Sequence, residues 1–295
     1  MNILYLVFGN EQRNHSQAYF SICSFLGQME ASDRIFVMTD NPNFYDRLSK
    51  RINTLTINLE LLNTWQGEYK FFWRAKIKAI EHICHLHPEQ QTLYLDTDTF
   101  LFSTLNQLKD QLKNPVMHLN ECELSQLKSK TDKMMWQQVG NRTFGGININ
   151  SNHCMWNAGV VGIPANKGQM VTELALNVCD DMLKKNITRR LIEQFSLSVA
   201  LSEKGNLQAA EPFIGHYWSN KDEWNEAIQK FMLKSFLKGN SVQDDIEAIS
   251  TFDFSKIAIQ KRIPNTQLRL KKIISKWFPS EDQAFVASKL HNPIT

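Results

Sequence analysis

LYLDTDTFLF, residues 93–102, decides how this chain is read. Apolar residues run to Leu95 and resume at Phe100, the composition of a strand buried on both faces. Asp96 and Asp98 interrupt that run. Residues i and i+2 of a strand share a face, so the two carboxylates are expected side by side. Like charges forced together raise each other's pKa. A hard divalent cation removes that penalty, because its preference is for oxygen ligands. The pair is therefore expected to hold a cation such as Mn²⁺ or Mg²⁺. A solvated turn capped by Asp98 is the plainer alternative, but it does not account for apolar sequence on both sides.

Outward from this stretch, strand-like and helix-like segments alternate. Residues 3–8, 34–40, 52–59 and 92–98 read as strands. Residues 16–29, opened by Ser16, and about 68–87, closed before Pro88, read as helices. The β-α-β order predicts an α/β fold with a mostly parallel sheet. In such sheets ligands bind beyond the carboxyl ends of the strands. Asn10, Asp40 and the Asp96/Asp98 pair lie at those ends. Further along, residues 103–165 are irregular, and helices are expected over about 166–185 and 189–203.

Composition narrows the class. The chain has 295 residues, 42% hydrophobic and 11% aromatic, enough for a sizeable core. A net charge of only +3 gives no reason to expect nucleic acid. No apolar run approaches the roughly 20 residues of a membrane span. The first residues read as a strand, not a leader. The 5 cysteines are widely spaced, without a disulfide framework or zinc spacing, as expected of a cytoplasmic protein.

LYLDTDTFLF resembles the D-x-D segment of GT-A-fold glycosyltransferases, which use nucleotide-sugar donors, and is most similar to the retaining family 8 group. Three further segments follow in the family's order. WNAGVVGIP (156–164) resembles its Asn-x-Gly segment, and the resemblance implies that Asn157 binds the donor sugar. Read from the residues alone, the small pair Ala158-Gly159 lets backbone approach a ligand. LIEQFSLSVAL (191–201) resembles an acidic-Gln pair at a helix start, with Glu193 where the family usually has Asp, followed by Gln194. GHYWSNK (215–221) resembles the segment whose His is the third metal ligand and whose Lys meets the diphosphate. Here they are His216 and Lys221, although the usual Lys-Pro-Trp is absent. The resemblance spans roughly residues 1–225.

The helix before the metal strand adds a clue of its own. At 100° per residue, Phe72, Ala79, Ile80 and Ile83 form an apolar arc, while Arg74, Lys78, Glu81 and His85 line the opposite face. Lys76 falls inside the arc. A buried ammonium needs a partner, and the aspartate pair or a donor diphosphate would supply one. The family carries a basic residue in this helix that reaches the donor. Lys76 is the best match, with Arg74 the candidate if Lys76 reaches out to solvent. His82, Cys84, His85 and His87 read as a solvated helix end and not a second metal site.

Together these readings predict a GT-A-type α/β domain over 1–250 and a C-terminal extension over 251–295. The expected activity is transfer of a sugar from a nucleotide-diphosphate donor, UDP-sugar first, to a saccharide or glycolipid acceptor. Asp96, Asp98 and His216 would hold the metal, and Lys76 and Lys221 would face the diphosphate. Phe8, Gly9, Asn10 and Asp40 would hold the base. The resemblance implies retention of anomeric configuration, either by front-face attack or through a transient adduct with Gln194 or Glu193. The alternatives are a sugar nucleotidyltransferase, against which FGNEQRNHSQ has one glycine where a Gly-rich loop is expected, and an inactive sugar-nucleotide-binding homologue. From Lys256 to Lys276 there are 7 Lys/Arg and no Asp/Glu. Leu270, Ile273, Ile274 and Trp277 share one helical face, with Arg269, Lys272 and Lys276 opposite. Residues 256–278 thus read either as a peripheral contact with the inner face of a membrane or as an apolar stripe packed on the catalytic domain with a solvated basic face.

Overall fold

Alternation along the first strand builds the centre of the molecule. In β1 (Asn2–Val7) the side chains of Ile3, Tyr5 and Val7 enter one apolar cluster, and Leu4 enters the other. The same split recurs in β2 (Arg34–Thr39), where Ile35 and Val37 face one way and Phe36 and Met38 the other. A sheet apolar on both faces must be covered on both, and helices do so. The structure, a computed structural model, describes residues 1–127 and 129–261 together with Leu270, Ile273, Ile274 and Trp277.

The chain runs from β1 through α1 (Gln12–Leu26) to β2, then β3 (Asn53–Thr56), α2 (Leu59–Gln66), α3 (Arg74–Leu86), β4 (Thr92–Leu95) and β5 (Thr99–Leu101). After α4 (Leu105–Gln111) come β6 (Val116–Met117), β7 (Asn120–Glu123) and α5 (Lys130–Val139). A small hairpin of β8 (Thr143–Phe144) and β9 (Ile147–Asn148) precedes β10 (Cys154–Trp156) and β11 (Val160–Ile163). Then follow α6 (Gly168–Lys184), α7 (Ile192–Lys204), β12 (Gln208–Ala209), β13 (Ile214–His216), α8 (Lys221–Lys238) and α9 (Val242–Ser250).

Among the described residues the central sheet has seven strands in the order β12-β6-β11-β4-β1-β2-β3. Strands β3, β2, β1 and β4 are parallel, while β11 runs antiparallel between β4 and β6. The expected α/β fold is therefore present, as a mixed sheet flanked by helices and compatible with a Rossmann-like arrangement. Helices α3, α6 and α7 cover one face, and α1, α8 and α9 the other.

Several boundaries differ from the sequence reading. Helix α1 starts at Gln12, four residues before Ser16. Residues 68–73 precede α3 instead of opening it, so Phe72 is 43% exposed and not part of a buried arc. Strand β3 stops at Thr56, because Asn58 turns the chain into α2 by accepting a hydrogen bond from Leu61 N at 2.8 Å.

The chain divides into two units, Met1–Ile259 and Gln260–Thr295. Residues 251–259 belong to the first and not to an extension beginning at 251. Phe252 and Phe254 explain this: Phe254 stacks on Phe100 at 4.4 Å, and Phe252 meets Phe20 edge-on at 5.6 Å. In the second unit Leu270, Ile273, Ile274 and Trp277 are helical and exposed. Arg269, Lys272 and Lys276, on which the basic face of 256–278 depends, lie outside the described residues.

Candidate metal and ligand site

Strand β4 ends at Leu95, and the two aspartates stand on the turn that follows, not on the strand. The turn is pinned from several sides. Asp96 N donates to Gly159 O at 2.8 Å, Thr99 Oγ1 donates to Asp96 O at 2.8 Å, and Tyr217 N donates to Asp98 O at 3.1 Å. Thr97 Oγ1 donates to Gln17 Oε1 at 2.9 Å, and Gln17 Nε2 reaches Asn225 Oδ1 at 2.6 Å, tying the turn to α1 and α8. Strand β13 pairs antiparallel with β5, setting His216 opposite Thr99 and so beside the turn.

Asp96, Asp98 and His216 offer one ligand atom each, all within 4.8 Å of one another, and could hold a metal ion. Asp98 is 3% exposed and His216 4%, while Asp96 opens toward the cleft. Two carboxylates and an imidazole suit a divalent cation, which answers the crowding of negative charge here. Lysines already meet part of that charge: Lys221 Nζ lies 2.8 Å from Asp98 Oδ2, and Lys76 Nζ lies 3.3 Å from Asp96 Oδ1. Burial would raise the Asp98 pKa, but His216 and then Lys221 outweigh it and hold the carboxyl below its ordinary range.

The orientation of His216 follows from Asn157. Gly159 N donates to Asn157 Oδ1 at 3.0 Å, which identifies that atom as the amide oxygen. His216 Nδ1 lies 3.0 Å from the same oxygen and donates its proton there, which leaves Nε2, 3.4 Å from Asp98 Oδ1, as the ring nitrogen that faces the carboxylates. Asn157 Nδ2 donates to Glu121 Oε1 at 3.3 Å, completing a chain from Glu121 through Asn157 to His216. Burial pushes the Glu121 carboxyl up despite that hydrogen bond. His118 meets the His216 ring edge-on at 5.1 Å and directs Nε2 to Ile214 O at 3.1 Å. Burial, then the charge of His216, pushes its pKa down to about 4, so at neutral pH it adds no charge.

Asn157 is 7% exposed and engaged with protein on both amide atoms. Gly159 is small for the same reason. A Cβ there would come within 2.1 Å of His216 Cε1, so the space goes to the imidazole and not to a ligand.

Lys76 is buried as expected, 5% exposed, with Glu193 Oε1 at 3.1 Å, Ala158 O at 3.2 Å and the Tyr94 ring at 5.0 Å. Burial alone would lower its pKa, but Asp96 and Glu193 raise it, so it stays protonated. Glu193 is pushed up by burial, against the opposing pull of Lys76. Gln194 Oε1 accepts from Ala158 N at 3.4 Å. Arg74 does not reach the site: Nε and Nη2 clasp Asp180 at 2.7 and 2.9 Å, and Nη1 donates to Trp65 O.

A cleft of about 240 Å³ opens over Asp96 and Asp98, with Lys76, Lys221, Tyr94 and Phe8 on its walls. Phe72 and Trp73 stand at it as well, 43% and 51% exposed, with Phe72 edge-on to Phe8 at 6.1 Å. Gly9 has φ +82°, which favours glycine, and its N–H donates to Asp40 Oδ1 at 2.9 Å. Its carbonyl accepts from His15 Nε2 at 2.8 Å, so Asp40 and His15 shape the loop after β1 while Asn10 is exposed. Sequence reasoning missed Tyr94, Trp73, His118 and Glu121. Tyr94 alone carried a signal, because it stands two residues before Asp96; its hydroxyl donates to Asp96 Oδ1 at 2.8 Å.

The remaining histidines of the helix end have neighbours of their own. His82 lies against Trp65, His87 against Phe36, and Cys84 is buried. Among the described residues, Asp96, Asp98 and His216 are the metal-capable group, the five cysteines are free, and no helix is long and apolar enough to cross a membrane. No protein-family model matches the chain, and no curated protein matches it.

Proposed function

We propose that the chain is a metal-dependent glycosyltransferase that moves a sugar from a nucleotide-diphosphate donor, UDP-linked first, to a saccharide or glycolipid acceptor. One observation carries this reading: an Asp-Asp-His group stands at the carboxyl end of a parallel strand, in a cleft with two lysines and an aromatic wall. Such a cleft answers a polyanionic ligand with an attached ring. The nitrogen ligand favours Mn²⁺ over Mg²⁺, which prefers oxygen throughout. A bound cation would neutralise charge developing on a diphosphate leaving group.

The residues divide the remaining work. Lys221 is 50% exposed on its side chain, and from Asp98 it can turn to a phosphate oxygen. Lys76 is held by Glu193 and Asp96 and supplies fixed positive potential beneath the cleft. Phe8, Phe72 and Trp73 offer faces for a base or a sugar ring. Glu193 is committed to Lys76, which favours Gln194 over Glu193 as the group nearest a reacting sugar. Retention of configuration, the GT-A assignment and work at the cytoplasmic face of a membrane belong to the same proposal.

The test is a thermal-shift panel of UDP-, GDP-, ADP- and CDP-sugars with Mn²⁺, with and without chelator, followed by donor hydrolysis for any hit. The expected result is one nucleotide class that raises Tm only with metal, since ligand that binds the folded state stabilises it by mass action. A panel with no metal-dependent hit would overturn the reading.

A further inference from the structure

The last two turns of α8 turn a cluster of large apolar side chains to the surface. Trp224, Asn225, Ile228 and Ser235 are buried, yet Leu233, Phe236 and Leu237 are 59%, 79% and 72% exposed. At 100° per residue these three fall within one arc of about 100°, and Lys230, Lys234 and Lys238 occupy the adjoining arc. From Ala227 to Gln243 the sequence holds no Asp or Glu. The acids at either end are engaged: Glu226 pairs with Lys230 at 2.6 Å, and Asp244 is the box partner of Ser241. Lys234 and Lys238 have no acidic partner among the described residues.

The face is also held rigidly. Gly239 closes the helix with φ +64°. Fully buried Asp245 accepts from Ser235 Oγ at 2.8 Å and from Asn240 Nδ2 at 3.2 Å, fixing the turn beneath it. The cluster is thus presented, not frayed.

We propose that this face of α8 docks on an anionic lipid surface. Apolar side chains beside lysines match the layers of such a surface, acyl chains below and phosphate headgroups above. The other end of the same helix carries Lys221 at the cleft. At 1.5 Å per residue the docking face lies roughly 20 Å from it along the axis. The inference rests on the exposure and charge of α8 and not on the transferase reading. If both hold, the acceptor is anchored in the lipid on which α8 rests.

The test is co-sedimentation of the full chain with vesicles of phosphatidylglycerol and phosphatidylcholine, against pure phosphatidylcholine. Wild type is expected to bind the anionic vesicles and to be released by high salt. Phe236→Ser with Leu237→Ser, and separately Lys234→Glu with Lys238→Glu, should each weaken binding about tenfold or more, since each lysine near such a surface contributes about fivefold. Both double variants should keep the wild-type melting curve and its response to Mn²⁺, which separates failure here from failure of the metal site. Wild type that ignores anionic vesicles overturns the proposal, as do variants that bind like wild type. A wild-type dimer in sedimentation equilibrium that only the apolar variant loses would assign the face to a second copy instead.

Discussion

Asn157 and Lys76 show how single side chains set the chemistry of this site without occupying its centre. Asn157 Oδ1 fixes which nitrogen of His216 is free. Asn157→Ala removes that acceptor and should weaken Mn²⁺ binding tenfold to a hundredfold, about what loss of a ligand-orienting group costs. Asn157→Asp retains an acceptor and should stay closer to wild type. Mn²⁺ titration followed by electron paramagnetic resonance checks both, and an alanine variant with wild-type affinity would reduce Asn157 to packing. Lys76 is a different case. Removing it as Lys76→Met leaves the buried Glu193 carboxylate without its cation, which should cost about 3–5 kcal/mol at neutral pH. Burial already raises the Glu193 pKa, and loss of Lys76 raises it further above the unfolded value. A raised carboxyl stabilises the fold below its unfolded pKa and loses that contribution as pH rises through its folded pKa. The stability gap to wild type should therefore narrow as pH falls from about 7 to about 5. Thermal unfolding across that range measures it, and a gap independent of pH would remove Glu193 from the account.

Asp245 of α9, 0% exposed, is one of the residues that join α8 and α9 to α1. Its carboxylate accepts from Tyr19 Oη at 2.7 Å, Ser235 Oγ at 2.8 Å and Arg47 Nη2 at 3.0 Å. Asp245→Ala strands these donors and should cost about 3 kcal/mol, read from the urea midpoint. Mn²⁺ should still stabilise the variant, because Asp245 does not touch the metal group. At this scale the sequence was legible where periodicity acts locally. Strands β1, β2 and β4 and helices α6 and α7 follow from alternation and amphipathic spacing. Lys76 stood out because one charge in an apolar arc demands a partner, and the structure supplies two. What could not be read was what distant elements bring together. His118 lies in the two-residue gap between β6 and β7 and Glu121 lies in the short β7, without periodic signal, and only the pairing of residues 118–120 with Asn157 and Trp156 carries them to His216. The aspartates were expected on one strand face, but the strand ends first. They converge because Gly159, Tyr217 and Gln17 bind the turn. Gly159 had looked like room for a ligand, when a ring 57 residues onward in sequence fills that space.

For the molecule as a whole, the question is whether folding depends on the ion. Asp98 already has Lys221, and Asp96 has Lys76 and the Tyr94 hydroxyl. Neither carboxylate is left bare, unlike the ligands of metal-nucleated domains that are unfolded without their ion. Chelator-treated protein should therefore melt cooperatively, and Mn²⁺ at about 100 times its Kd should add about 2.7 kcal/mol. Asp98→Asn should lose that increment. Calorimetry with chelator and with Mn²⁺ provides the measurement, and apo protein without a transition would show that the lysines do not suffice.

The lysine pairings have a consequence for the order of events after synthesis. A chain whose ligand carboxylates arrive with their own counter-charge can complete its fold in a metal-poor setting and wait there intact. If the proposed metal-dependent activity holds, metal supply would act as a throttle on working protein and not as a checkpoint on its maturation. Scarcity would idle the existing molecules without sending them to degradation, and replenishment would restore them without new synthesis.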